Sequence, residues 1–280
     1  MLSYLHGFHA GNFADVQKHG ALTLALSMMH AKTSGIACFD THAGSAMYDL
    51  QSERARKTAE ADAGIQRVWQ AREGLKSPNW QLFLDTLDQC NPAGQDGLVN
   101  YPGSPAWFRQ YLRPQDDLTV FELHPAEGEH LARWANSGRL RVIRQDGLSG
   151  LVRHLPPRQP RLLVLIDPSY EIKTEYQDVA RTLAKAWQKC RHGVFLIWYP
   201  ILTSGAHEAL ISTVKAGGVR KVLRSEVRLC KPPERGMTGS GLLVVNPPWG
   251  FDTRFTAMLN EVAGDQVLNL SHHMDWLVPE

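Results

Sequence analysis

The stretch Leu162-Leu163-Val164-Leu165-Ile166-Asp167-Pro168-Ser169-Tyr170 decides how this chain folds. Its apolar run is too short for a buried helix, and it stops at an acid and a proline, so it reads as a buried strand with a turn behind it. Four similar runs surround it: Ile36–Asp40 (IACFD), Leu118–Glu122 (LTVFE) and Leu140–Ile143 (LRVI) before it, and Val194–Tyr199 (VFLIWY) after it. Amphipathic stretches at Tyr176–Lys189 and His207–Lys215 alternate with these strands, which predicts an α/β fold around a parallel, doubly wound sheet. Two further strands, Lys221–Leu229 and Gly241–Asn246, are separated by the short loop Cys230–Ser240, so the sheet should end in an antiparallel hairpin. That makes seven strands.

The chain between Asp40 and Leu118 is far longer than the roughly a dozen residues a crossover needs, so something is inserted there. Within it, Ile65, Val68, Trp69, Trp80, Phe83, Leu84 and Leu87 fall at helical spacing, and Pro/Gly punctuation closes the segment near Tyr101–Pro105. The expectation is one domain over residues 1–280 carrying a small helical subdomain at about 50–100. Composition agrees with a globular protein: 43% hydrophobic, 21% charged, and 30 Lys and Arg against 28 Asp and Glu. Disorder, collagen and coiled coil are excluded. Cys38, Cys90, Cys190 and Cys230 form no CxxC pair, so free thiols are expected rather than a zinc site or disulfide exchange. With no membrane-length apolar run and no signal pattern, the expected location is cytoplasmic.

In a doubly wound sheet, ligands bind beyond the carboxyl ends of the strands. Four of those ends carry an acid: Asp40 before Thr41-His42-Ala43-Gly44, Glu122 before Leu123-His124, Asp146 before Gly147, and Asp167 before Pro168-Ser169-Tyr170. One such acid ordinarily caps a helix or forms a turn; four together suggest a ligand. The G-x-G-x-x-G dinucleotide fingerprint is absent after the first strand, where only Gly44 stands, which argues against a pyrophosphate cradle. A ribose diol can donate to Glu122 and an adenine amino group to Asp146, which suits a nucleoside without phosphates. S-adenosyl-L-methionine is such a molecule, and its cationic groups favour a carboxylate rim.

Asp167–Tyr170 then indicates the reaction. A conjugated exocyclic amine is a poor nucleophile until its hydrogens are accepted, and the Asp167 carboxylate with the Pro168 carbonyl provides two acceptors on a stiff turn. Tyr170 offers a flat face to a base removed from its stack. The usual amino-methyltransferase motif has proline where this chain has Ser169, which loosens the turn but keeps both acceptors. Asn246-Pro247-Pro248-Trp249 matches the four-letter pattern more closely, yet it follows the last strand, so it is expected to be a structural loop with Trp249 packed inside.

Taken with the N-terminus, these motifs make the sequence resemble the bacterial 23S ribosomal RNA adenine-N6 methyltransferases of the RlmJ type. The resemblance covers nearly the whole chain and is carried by MLSYLHGFHAGNFADVQKH, DTHAG, YPGSP, ELHP, QDG, DPSYEIKTEY, WYP, RGMTGSG, NPPW and the final WLVPE. It implies a Rossmann-like class I methyltransferase that uses S-adenosyl-L-methionine and no metal to methylate N6 of an adenine in 23S rRNA, naked or partly assembled, as a monomer. It further implies Asp167 as the catalytic acceptor, with Pro168 and Tyr170 beside it. His19, His42, Ser104, Glu122, Asp146, Gly147 and Asp167 match cofactor contacts, Lys18 neighbours the methionine carboxylate, and Tyr4 and His6 lie on the substrate side. Because relatives also carry a label for the use of external DNA, a DNA-binding protein on the same fold is the alternative. The basic run Arg220–Arg235 could follow phosphates or be a solvated face.

Overall fold

The computed structural model describes residues 5–94, 96–135 and 140–280. In chain order the elements are α1 (Phe13–Met29), β1 (Ile36–Asp40), β2 (Met47–Asp49), α2 (Glu53–Thr58), α3 (Glu60–Ala63), α4 (Ile65–Gln70), α5 (Pro78–Gln89), β3 (Asn100–Pro102), α6 (Ser104–Tyr111), β4 (Asp117–Phe121), α7 (Pro125–Ala135) and β5 (Leu140–Ile143). They continue as α8 (Gly147–His154), β6 (Arg161–Ile166), α9 (Glu175–Lys189), β7 (Val194–Leu202), α10 (Glu208–Ala216), β8 (Val222–Leu229), β9 (Met237–Val245), α11 (Phe251–Ala263) and β10 (Leu270–Val278).

The main sheet has the order β10-β8-β9-β7-β6-β1-β4-β5. From β7 to β5 all pairs are parallel; β9 is antiparallel to both β7 and β8, and β10 is antiparallel to β8. The predicted parallel sheet and its antiparallel hairpin are both present. The count is eight rather than seven, because Leu270–Val278 adds an edge strand. Its alternation is hidden in the sequence: SHHMD puts polar residues at successive positions, and an edge strand with a partly solvated face needs no apolar run.

β1 lies between β4 and β6, so the connections leave it in opposite directions and a crevice opens at the carboxyl ends of β1 and β6. Two apolar layers cover the sheet. One face buries α1, α5, α6 and α11, with Leu22, Leu26, Trp80, Phe83, Trp107 and Phe255 among its contents. The other buries α8, α9 and α10. In α9 the buried Tyr176, Val179, Ala180, Leu183 and Ala186 trace one stripe at helical spacing, which is why this helix was legible. α1 has no such stripe, being buried nearly all round. It begins where the Asn12 side chain accepts the Asp15 amide at 3.0 Å.

The long connection after β1 carries α2 to α5, as its helical spacing suggested, but two short strands, β2 and β3, pair antiparallel at its ends. Three-residue strands carry too little pattern to stand out in sequence. Trp80, Phe83 and Leu87 of α5 join the same core as α1, so the connection shares the apolar interior of the main body. Among the described residues no helix is long and apolar enough to cross a membrane.

Candidate active site

The crevice above β1 and β6 deepens into a pocket of about 460 Å3, within the size range of small-molecule sites. His6, Lys18, His19, His42, Ser104, Glu122, Asp146, Gly147, Asp167, Pro168 and Tyr170 all line it. Residues far apart in sequence therefore meet in one pocket; of the four strand-end acids, Glu122, Asp146 and Asp167 line it and Asp40 does not. Tyr4 lies outside the described residues.

Each strand-end acid is held differently. Glu122, just past β4, accepts the Gly44 amide on one oxygen at 2.7 Å and the His124 amide on the other at 2.6 Å, which fixes the carboxylate against the pocket. Burial pushes its pKa upward. Gly44 makes this possible by adopting φ +54°, a conformation that L side chains avoid. Asp146 caps α8, accepting the Ser149 amide at 2.8 Å; burial opposes its charge, but the Ser149 hydrogen bonds hold its pKa below the usual range. The capping role and the pocket-lining position coexist in one residue. Next to it, a Cβ on Gly147 would lie 1.8 Å from the Thr41 carbonyl oxygen, so only glycine lets the α8 N-terminus approach the β1 exit this closely.

Asp40 ends β1 in complete burial, and that burial raises its pKa to about 7. His42 is pushed down to about 4 by burial, and its Nδ1 shares a 2.8 Å hydrogen bond with the Thr41 hydroxyl. His19 is likewise kept neutral by burial; its Nδ1 meets the Tyr101 hydroxyl at 2.8 Å and its ring stacks on Trp107. Its Nε2 and the Asp40 Oδ2 have no hydrogen-bond partner among the described residues. A buried polar atom without a partner costs stability; of these two residues only His19 lines the pocket, where its ring could meet a ligand.

Asp167 presents its carboxylate at the pocket floor, with Oδ2 2.5 Å from the Lys18 Nζ. Lys18 is the single Lys or Arg among the described lining residues, against Asp15, Glu60, Glu122, Glu127, Asp146, Asp167 and Glu175. Such a pocket favours a cationic ligand. Its three carboxylate-bearing strand ends, the orphaned His19 nitrogen and the space secured by Gly147 fit S-adenosylmethionine. Among the described residues no group of three or more His, Cys, Asp and Glu converges as metal ligands do.

Two residues and one segment differ from their sequence reading. Tyr170 is buried, its hydroxyl donates to the Trp198 carbonyl at 2.7 Å, and its ring stacks on Tyr176 at 4.4 Å, so a base can meet only the face turned away from Tyr176. Its φ of +54° marks the tight turn that Ser169 was expected to loosen. Trp249 is 97% exposed rather than packed inside. The loop before it belongs to a different groove, lined by Pro247, Pro248, Trp249 and Trp276, and Asn246 is bonded to the carbonyls of Arg191 and Gly193 at the opposite end of β7. β9 runs antiparallel, so its exit faces away from the crevice; a Pro-Pro-Trp loop is apolar in sequence whether or not anything covers it. The basic run Arg220–Arg235 does not form one face either: Arg224 pairs with Asp275, Arg228 with Glu226, and Arg220, Lys231 and Arg235 are exposed at the two ends of β8.

Sequence reasoning missed Asp15, Tyr101 and Trp198. Asp15 and Lys18 stand three apart on α1, a spacing that puts them on one face, but a single i,i+3 pair is a common surface feature and carries no signal alone.

A family model described as Ribosomal RNA large subunit methyltransferase D, RlmJ, matches residues 33–278. The Escherichia coli (strain K12) protein named Ribosomal RNA large subunit methyltransferase J is 38% identical, and its Haemophilus influenzae namesake 34%, each alignment covering 100% of both chains. A crystal structure from Legionella pneumophila superimposes with a TM-score of 0.88 at 33% identity, covering 96% of this chain and 98% of that one. On the family match and on these full-length identities, the chain belongs to the RlmJ family of ribosomal RNA large subunit methyltransferases.

Proposed function

We propose that this methyltransferase transfers the methyl group of S-adenosylmethionine to N6 of one adenine in 23S ribosomal RNA. The observation that carries the reading is the convergence of Glu122, Asp146 and Asp167 on one acid-lined pocket at the switch point of the sheet. When bound, S-adenosylmethionine supplies an electrophilic methyl group on a cationic sulfur. Glu122 would accept from the ribose hydroxyls, Asp146 from the adenine amino group, and His19, His42 and Ser104 would contact the rest of the cofactor. The Asp167 carboxylate and the Pro168 carbonyl would accept the hydrogens of the target amine, directing its lone pair toward the methyl carbon; as the N–C bond forms the C–S bond to the sulfonium breaks, its electron pair stays on sulfur to leave S-adenosylhomocysteine, and the proton lost from nitrogen passes by way of the Asp167 carboxylate to water. Tyr170 forms the aromatic wall beside the base, and Tyr4 and His6 meet the RNA from the N-terminal segment.

The finer reading is that the protein binds RNA as a cytoplasmic monomer, on naked or partly assembled 23S rRNA. The relatives' names support RNA rather than the alternative of DNA binding without turnover. The test is incubation of the protein and cofactor with unmodified 23S rRNA, followed by mass spectrometry of the nucleosides. N6-methyladenosine at one position is the expected result; absence of product, or equal methylation of DNA, would overturn the reading.

A further inference from the structure

A chain of hydrogen-bonded and ion-paired side chains joins the N-terminal segment to the turn after β6. At its centre is Asp15, 1% exposed, in the first turn of α1. Its Oδ2 accepts the Gly11 amide at 2.8 Å and meets the His6 Nε2 at 2.9 Å. Its Oδ1 lies 2.9 Å from the Lys18 Nζ, and that same ammonium reaches Asp167 Oδ2 at 2.5 Å. Lys18 is 4% exposed and Asp15 1%, so that pair acts in a nearly dry setting, while the Asp167 side chain keeps 13% of its surface exposed.

This arrangement poses a physical question, because a buried lysine on the acceptor that must draw hydrogens from an amine would weaken that acceptor. A one-to-one pair of Lys18 with Asp167 would leave little negative charge to stabilise the positive charge growing on the nucleophilic nitrogen. Asp15 changes the balance. Two carboxylates share one ammonium, so the three groups keep one net negative charge, and the geometry of α1 fixes where it lies. Burial works against the charges of both Asp15 and Lys18. Even so, His6 and Lys18 hold the Asp15 carboxyl well below the usual range, and Asp15 and Asp167 hold the Lys18 ammonium above its own.

We propose that Asp15 is a positioning residue for the methyl transfer: by sharing Lys18 it leaves Asp167 anionic toward the amine, and by holding His6 it ties the N-terminal segment to that same carboxylate. The proposal rests on the reading of Asp167 as amine acceptor. Asp15 touches neither substrate nor cofactor in this scheme; it acts through Lys18.

The experiment is single-turnover methylation of 23S rRNA at saturating cofactor and RNA, with calorimetric cofactor affinity and a melting curve for each variant. Asp15→Asn keeps the shape and removes the charge. Its rate should fall tenfold to a hundredfold while cofactor affinity stays within threefold. In a Lys18→Met background the same substitution should cost less than threefold further, because the route from Asp15 to Asp167 is already cut. Multiplicative losses in the double variant, an unchanged rate, or a parallel loss of cofactor affinity would overturn the proposal. If Asp15→Asn does not fold, His6→Ala serves, since His6 lies outside the α1 core: because His6 also meets the RNA in this reading, the test is the single-turnover rate at saturating RNA, which should fall several-fold whatever happens to KM, and a normal saturated rate with only a raised KM overturns the tie. Methylation by the unaltered protein is the control. If it yields no N6-methyladenosine, the functional reading fails; if it does and Asp15→Asn matches it, only the role of Asp15 fails.

Discussion

Replacing Asp167 by Asn preserves the shape of the side chain and one acceptor oxygen but removes the charge facing the amine. In the ground state little else should change, since Lys18 keeps Asp15 as a partner at 2.9 Å. In the transition state the nitrogen becomes positive as the new bond forms. A unit charge at about 4 Å, at the effective dielectric of about 20 that suits partly buried sites, stabilises it by about 4 kcal/mol. Lys18, 2.5 Å from Asp167, offsets part of that, so about 3–4 kcal/mol of transition-state stabilisation is at stake. This corresponds to a rate loss of about two to three powers of ten. The measurement is the single-turnover rate with labelled cofactor, beside calorimetric affinity for S-adenosylhomocysteine, which should stay within a few-fold of the unaltered protein. A variant that methylates at the normal rate, or one whose defect is entirely in cofactor binding, would refute Asp167 as the acceptor.

Four further outcomes are expected. Gly147→Ala forces a Cβ to within 1.8 Å of the Thr41 carbonyl; calorimetry should show cofactor affinity reduced at least about tenfold with a lower Tm, and normal binding would mean that the α8 N-terminus is not part of the cofactor site. Asp40 has a folded-state pKa of about 7 against 3.8 for the unfolded chain, so its burial costs nothing below about pH 4 and progressively more as the pH rises to 7. Asp40→Asn should therefore raise Tm more at pH 8 than at pH 5, by about 3 kcal/mol of stability; an equal effect at both pH values in melting curves would contradict an ionisable, buried carboxyl. Tyr170→Ala should lower single-turnover methylation about tenfold to a hundredfold with cofactor affinity nearly normal, the loss of a base-stacking wall being worth ~1–3 kcal/mol. Trp249, 97% exposed, has no packing to lose, so Trp249→Ala should leave Tm within about a degree and methylation unchanged; a drop of several degrees would show that the indole is covered in solution.

The strands around Asp167 and the acids at their ends were legible because each rests on local chemistry. A short apolar run bounded by an acid and a proline reads as a strand and turn whatever surrounds it, and strand alternation with amphipathic helices restricts the sheet to a doubly wound order. From that order alone Asp40, Glu122, Asp146 and Asp167 had to emerge on one side of the sheet. What sequence could not express was pairing across distance. β10 is a strand because β8 offers it an unpaired edge, and its own residues alternate too weakly to say so. Trp249 and Trp80 are both tryptophans in apolar surroundings along the chain, yet one is almost fully exposed and the other buried under α1, a difference set by which surface each loop meets.

The division at the active site follows the same physics. The sequence by itself determined the types of group and the strand ends that carry them, since backbone periodicity fixes where a side chain leaves a sheet. Only the tertiary structure decided their electrostatic state. Asp15, Lys18 and Asp167 form one charge cluster because α1 is buried against the sheet at an angle that brings residue 18 to residue 167, and burial there makes each charge depend on its neighbours rather than on water.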